Sequence, residues 1–157
     1  MDKKLKIGDI IVIKSYITPD NVEIGRHSFI VLHNEAGKIG GIEIGLNLEL
    51  EFDLVGAVMS SIKNEEHKKK IESYYPKDMI ISFNDAQVTN GNQKDGFIKA
   101  NQLYYFQRSK IEYTKIGYVN EATLKTLLEL IELNDKNGDL TRNYNNIVKK
   151  EDIPVTE

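Results

Sequence analysis

The sequence predicts a mainly β fold of the α+β kind: a small, strongly curved sheet or barrel with one helix near its C-terminal end. Three observations carry this prediction. Short runs rich in Ile, Val, Phe and Tyr recur between clusters of Gly, Asn and Asp. The segment from Ile42 to Leu50 alternates apolar residues with mostly polar ones, the period of a half-buried strand. A single segment, Asn120 to Leu133, carries a strong helical stripe.

The elements follow in order. IGDIIVIKSYI (Ile7 to Ile17) is a β-branched run opened by Gly8-Asp9 and reads as a strand. SFIVLHN (Ser28 to Asn34) reads as a second, closed by the turn-forming NEAGKIGG. GIEIGLNLELEF places Ile42, Ile44, Leu46, Leu48 and Leu50 on one face of a strand or hairpin arm. DLVGAVMSSI is a short apolar run ending at Ser60-Ser61, as a buried strand would. The texture then changes: Lys63 to Asp78 is charged, permits a helix and contains Pro76, so it reads as a short helix or a mobile excursion. DMIISF is a further strand, and NDAQVTNGNQKDG carries the hairpin signal Asn90-Gly91. GFIKANQLYYFQ and KIEYTKIGYV read as two more strand-like runs, or as a strand followed by a short helical turn. In NEATLKTLLELIEL, Asn120 is a natural cap, and Leu124, Leu127, Leu128 and Ile131 share one face. The polar, Asn-rich remainder reads as a tail, giving one domain over residues 1–134 and a tail over 135–157.

Composition narrows the function classes. A length of 157 residues suits one domain with a real core. The formal charge of −3 excludes a bulk basic field for nucleic acid and leaves room only for a local basic patch. With no cysteine, disulfides and thiolate metal sites are excluded, and a reducing cytoplasm is the expected location. No apolar run approaches the roughly 20 residues needed to cross a bilayer, and the charged N-terminus does not read as a signal peptide. No cofactor or metal site is expected: His33 and His67 lack a ligand-like constellation. The stretch from Asp135 to Asn146 fails as a calcium loop, because Leu140 stands where such loops need Gly and Asn146 where they need Glu.

Taken together, KIGDIIVIKSYI, GRHSFIVLHN, VGAVMSSI, DGFIKANQLYYFQRSKI and IGYVNEATLKTLLELIEL resemble, in this order, the MazF/PemK family of toxin ribonucleases. The resemblance spans about Lys6 to Leu133. It implies an SH3-like barrel, a homodimer, metal-independent sequence-specific cleavage of single-stranded RNA such as mRNA, and a cognate antitoxin protein as partner. It also implies site residues. The family's Arg-Pro pair falls on His27-Ser28, with Arg26 one place earlier. The family's strand-end hydroxyl falls on Ser60, with Ser61 beside it, its loop acid on Glu23, and its late-strand Gln on Gln102.

Cleavage through the 2′-hydroxyl needs a base for that proton, an acid for the leaving 5′-oxygen and donors for the charged phosphorane. An imidazole performs acid or base work more readily than a guanidinium, so His27 is the first candidate, with Arg26 supplying charge, Ser60 donating to phosphate and Glu23 orienting the basic pair. Slipping the alignment by one residue would put Arg26 on the family position and turn His27 to the other face. Ser61, Lys68, Lys69 and Gln102 are candidates for RNA contact, and Tyr104, Tyr105, Phe106, Tyr113 and Tyr118 for base stacking, although alternation sends about half of these rings to the core.

Each residue also has a plainer reading. His27 would be the wet end of a strand, Arg26 and Glu23 a surface ion pair, Ser60 and Ser61 a strand terminus, and the charged run a solvated helix face. The function alternatives are a catalytically inactive SH3-like barrel binding RNA or a protein partner, and an interaction protein that seats a peptide in the same groove.

Overall fold

The computed structural model describes residues 5–18, 20–33, 38–39, 42–43, 54–82, 86–88 and 95–144. In chain order the strands are β1 (Asp9–Ile13), β2 (Tyr16–Ile17), β3 (Glu23–Ile24), β4 (His27–His33), β5 (Lys38–Ile39), β6 (Ile42–Glu43) and β7 (Leu54–Ser61). Helix α1 (Glu65–Glu72) follows. Then come β8 (Asp78–Ile81), β9 (Ala86–Val88), β10 (Gly96–Lys99), β11 (Gln102–Phe106) and β12 (Tyr113–Val119), helix α2 (Glu121–Lys136) and β13 (Thr141–Tyr144). The chain is mostly β with a C-terminal helix, as the sequence predicts.

One nine-stranded sheet organises the molecule, in the order β13-β11-β7-β4-β1-β12-β9, with β10 beside β7 and β8 outside β10. Its pairs are antiparallel except β11 with β13. Among the described residues the hydrogen-bonded path does not close on itself. The register shifts twice: Ile116 of β12 is the extra residue opposite Ile10 and Ile11 of β1, and Leu32 of β4 is the extra residue opposite Val55 and Gly56 of β7.

β7 is paired along both edges. β4 covers one, while β11 covers Leu54–Gly56 and β10 covers Met59–Ser61 on the other. The register steps between β10 and β11, so Ala100 and Asn101 leave the strand line. Buried Asn134 of α2 holds this step: its Nδ2 donates to Ala100 O at 3.2 Å and to Pro76 O at 3.0 Å, next to the cis Tyr75-Pro76 bond.

The apolar runs of the central strands reflect burial on both faces. On one face Ile10, Ile30, Leu32, Val55, Ala57, Leu103 and Tyr105 pack with Leu127, Leu130 and Ile131 of α2. On the other, Ile11, Ile13, Phe29, Val31, Leu54, Val58 and Phe106 form a second core covered by Leu5 and Tyr16. The long run Ile7 to Ile17 breaks into β1 and β2 at Lys14-Ser15, where Tyr16 turns inward to cap this second core.

Gly8-Asp9 opens β1 through a tight turn. Asp9 N donates to Lys6 O at 3.0 Å, Gly8 takes φ +99°, and the Asp9 carboxylate accepts from Lys6 N at 2.8 Å. That left-handed conformation favours glycine. Nearly buried, the same carboxylate lies 3.2 Å from Lys115 Nζ on β12, tying the turn to the returning strand.

α2 starts where expected, with Asn120 Oδ1 accepting from Thr123 N at 2.7 Å. It ends three residues beyond Leu133, at Lys136, before Gly138 at φ +75°. Thr141–Tyr144, expected within a free polar tail, instead run parallel to β11. Asn143 explains this: its Nδ2 donates to Leu103 O at 3.2 Å and to Gln102 Oε1 at 3.3 Å. The Asn90-Gly91 signal and residues 44–50 lie outside the described residues. Among the described residues no helix is long and apolar enough to cross a membrane.

Candidate functional site

Sheet register, rather than proximity in sequence, assembles the site. Ile13 of β1 stands opposite His27 of β4, and Phe97 of β10 stands opposite both Ser60 of β7 and Ile80 of β8. Between β4 and β7 the ladder pairs Phe29 with Val58 and Ser28 with Met59. One further step of that register brings His27 opposite Ser60. The result is a transverse row, Ile13–His27–Ser60–Phe97–Ile80, on the sheet face opposite α2. Directly opposed side chains in such a ladder have Cβ atoms roughly 5 Å apart. An imidazole and a hydroxyl at that spacing can reach the same phosphate.

The row changes character along its length. Phe29 and Val58, next to it, belong to the second core, whereas Ser60 is exposed and His27 and Phe97 are half-buried. It therefore lies where the packed part of this face gives way to solvent. His27 is oriented from behind: its Nδ1 lies 2.9 Å from Gly25 O. A carbonyl only accepts, so Nδ1 carries the proton and Nε2 of the neutral ring keeps a lone pair for chemistry. Its ring stands edge-on to Tyr16, with centroids 6.4 Å apart, and tilted to Phe29 at 6.5 Å.

Tyr16, Phe29, Tyr104 and Phe106 form a ring cluster beneath His27, with T-shaped contacts between 5.2 and 6.0 Å. Burial, reinforced by the neighbouring Tyr104, pushes the Tyr16 hydroxyl up to about 12. Burial raises Tyr104 as well. Both phenols therefore stay protonated. Tyr104 Oη donates to Gln102 Oε1 at 2.9 Å, on the same oxygen that Asn143 uses.

The predicted residues separate accordingly. His27, Ser60 and Gln102 share one face. Ser61 follows Ser60 in a strand and points to the α2 side, as Ser28 does relative to His27. Arg26 is exposed and lies just before β4. Glu23 sits on β3 opposite Ile17 and lines an open cleft of about 590 Å³ with Lys14, Tyr16, Lys110 and Glu112. Among the described residues no ion pair joins Glu23 to Arg26. Gln102 Oε1 is occupied by two protein donors, which makes it a support for Tyr104. Lys68 and Lys69 lie on α1, whose His67 packs edge-on against Phe97 at 5.6 Å.

The sequence reading passed over Tyr16 and Phe97, and weighed His67 only as a metal ligand. For Phe97 a signal existed: the alternation in GFIKA separates Phe97 from buried Ile98 and puts it on the opposite face. Tyr16 was hidden inside a run that reads as one strand. Compared with known proteins, the chain matches no protein-family model, and no curated protein gives a significant match.

Proposed function

We propose that this protein is a metal-independent endoribonuclease of the MazF/PemK type, cutting single-stranded RNA at the His27–Ser60 pair. The observation that carries the proposal is the row itself. An oriented imidazole and an exposed hydroxyl occupy neighbouring strands, at the positions where the resemblance expects phosphate chemistry. Nε2 of His27 takes the proton of the 2′-hydroxyl, which attacks the adjacent phosphorus. The P–O5′ bond breaks, the leaving 5′-oxygen takes up a proton from solvent water, and a 2′,3′-cyclic phosphate remains. Ser60 donates to a phosphorane oxygen, and Arg26, one residue from His27, supplies positive charge. A nine-stranded main sheet with a C-terminal helix supports the mainly β part of this reading, and the SH3-like barrel itself comes from the resemblance. The same reading includes a homodimer, an antitoxin partner and a cytoplasmic location.

One observation favours a second reading. Glu23 faces a different cleft, and no arginine occupies the row. A barrel of this kind that binds RNA without cutting it would look the same. Incubating the purified protein with a long unstructured RNA in EDTA separates the two. Discrete products ending in cyclic phosphate, lost in His27→Ala, support the nuclease. A gel shift with intact RNA supports the binder. If folded protein neither cuts nor shifts RNA, both readings fail.

A further inference from the structure

The row does not end at Ser60. Phe97, its next member, is only partly covered, and two groups flank its ring. The His67 ring from α1 meets it edge-on at 5.6 Å, with an interplanar angle of 89°, and Lys99 Nζ lies 6.0 Å from its centroid. Phe97, Lys99, Ser60 and His27 share one sheet face because strand residues two apart point the same way.

His67 is held in place rather than free to swing. Its backbone N donates to the Asn64 cap at 2.8 Å, and its Nδ1 accepts from Lys63 N at 3.0 Å. Accepting at Nδ1 leaves the proton of the neutral ring on Nε2. Lys68, Lys69 and Lys70 follow on the same helix, while Glu65 and Glu66 occupy its first turn. Asp78 stands opposite Lys99 in the β8–β10 ladder. The ammonium of Lys99 is therefore partly balanced, and the aromatic pair is the stronger feature.

We infer that Phe97 and His67 form a base-stacking subsite for the nucleotide next to the phosphate held at His27–Ser60, where a base takes the place over the Phe97 ring that Lys99 Nζ now holds. The inference rests on the proposed RNA-directed function and specifies its substrate contact. Directly opposed strand residues are roughly 5 Å apart, so Phe97 stands one strand beyond Ser60 in the same row. A flat hydrocarbon ring braced by an immobilised imidazole suits the face of a base. Because every base has a π-face, such a subsite tolerates many sequences, and it gives α1 a role beyond solvation.

The test measures binding apart from cleavage, using a fluorescein-labelled, unstructured 2′-O-methyl RNA decamer, which has no free 2′-hydroxyl to attack. Anisotropy titrations compare the wild-type chain with Phe97→Ala, Phe97→Tyr and His67→Ala, each checked for folding by circular dichroism. The expected result is about tenfold weaker binding or more for Phe97→Ala, a smaller loss for His67→Ala and near-wild-type affinity for Phe97→Tyr. With a decamer carrying abasic sites, wild type and Phe97→Ala bind alike. Equal binding of the unmodified decamer by folded Phe97→Ala overturns the subsite, as does a wild-type chain that fails to bind it. The outcomes remain separable from the nuclease proposal. Phe97-dependent binding without cleavage of ordinary RNA keeps the subsite and removes the nuclease, whereas His27-dependent cleavage with Phe97-independent binding does the reverse.

Discussion

At the scale of single residues, a few polar groups do work that the apolar core cannot. Asp9 is the clearest, because its nearly buried carboxylate closes its own turn at Lys6 N and faces Lys115 across the sheet. Replacing it by Ala strands a turn N–H, so Asp9→Ala is expected to lower the unfolding free energy in urea by about 1–3 kcal/mol. Gly96 tests the site from the backbone side. A Cβ there would lie 2.8 Å from Ser60 O, inside any contact real side chains make. Gly96→Ala must therefore push β10 off β7 at Ser60. It is expected to cost about 1–3 kcal/mol and to lower RNA cleavage further than the lost stability explains, read as the cleavage rate of the folded fraction. His27 is a residue-scale case of a different kind. Its identity as a candidate was legible in GRHSF, but its bond to Gly25 O and its register position opposite Ser60 were not, since both depend on turn geometry and strand register.

At the scale of elements, α2 shows what sequence pattern reads well and where it stops. Its cap and stripe were legible because capping chemistry and a 3.6-residue period are local. Asn120→Ala is expected to remove about 1 kcal/mol of stability by thermal or urea unfolding. The burial of Asn134 was not legible, because its partners at Pro76 and Ala100 are far away in sequence. β13 was missed for the same reason. TRNY carries no apolar alternation, and it is held by parallel pairing to β11 and by the Asn143 amide. Truncation before Thr141 is expected to destabilise the fold and to raise hydrogen exchange along β11. Unchanged protection of Gln102–Phe106 would contradict this role for β13. The strand run Ile7–Ile17 was readable as β, yet its break was not, because only the second core gives Tyr16 a reason to turn inward.

At the scale of the whole molecule, a main sheet with two covered faces leaves the His27–Ser60 row, the proposed site, at the boundary of the second core. That boundary rests on the buried Tyr16 phenol and the half-buried Tyr104 phenol, which gives stability a definite pH dependence. The folded state holds the Tyr16 proton up to about 12, and burial also raises Tyr104. An unfolded chain releases such protons near pH 10. Their contribution is thus complete below about pH 10 and declines as pH rises towards about 12. Urea unfolding between those values should show the decline, and Tyr16→Phe should reduce its slope. A mainly β class with a C-terminal helix was legible because alternation and turn chemistry repeat along the chain. The transverse row was not, because it is drawn from separate strands whose registers no local pattern specifies. The central claim is that this row performs RNA cleavage through His27 and Ser60. The most direct measurement is the single-turnover cleavage rate on an unstructured RNA in EDTA for wild type, His27→Ala and Ser60→Ala, with anisotropy confirming that each variant binds. The account predicts a loss of roughly 10²–10⁴-fold for His27→Ala and a smaller one for Ser60→Ala, with binding retained. Cleavage by His27→Ala at the wild-type rate, or RNA left intact by folded wild-type protein, would contradict it.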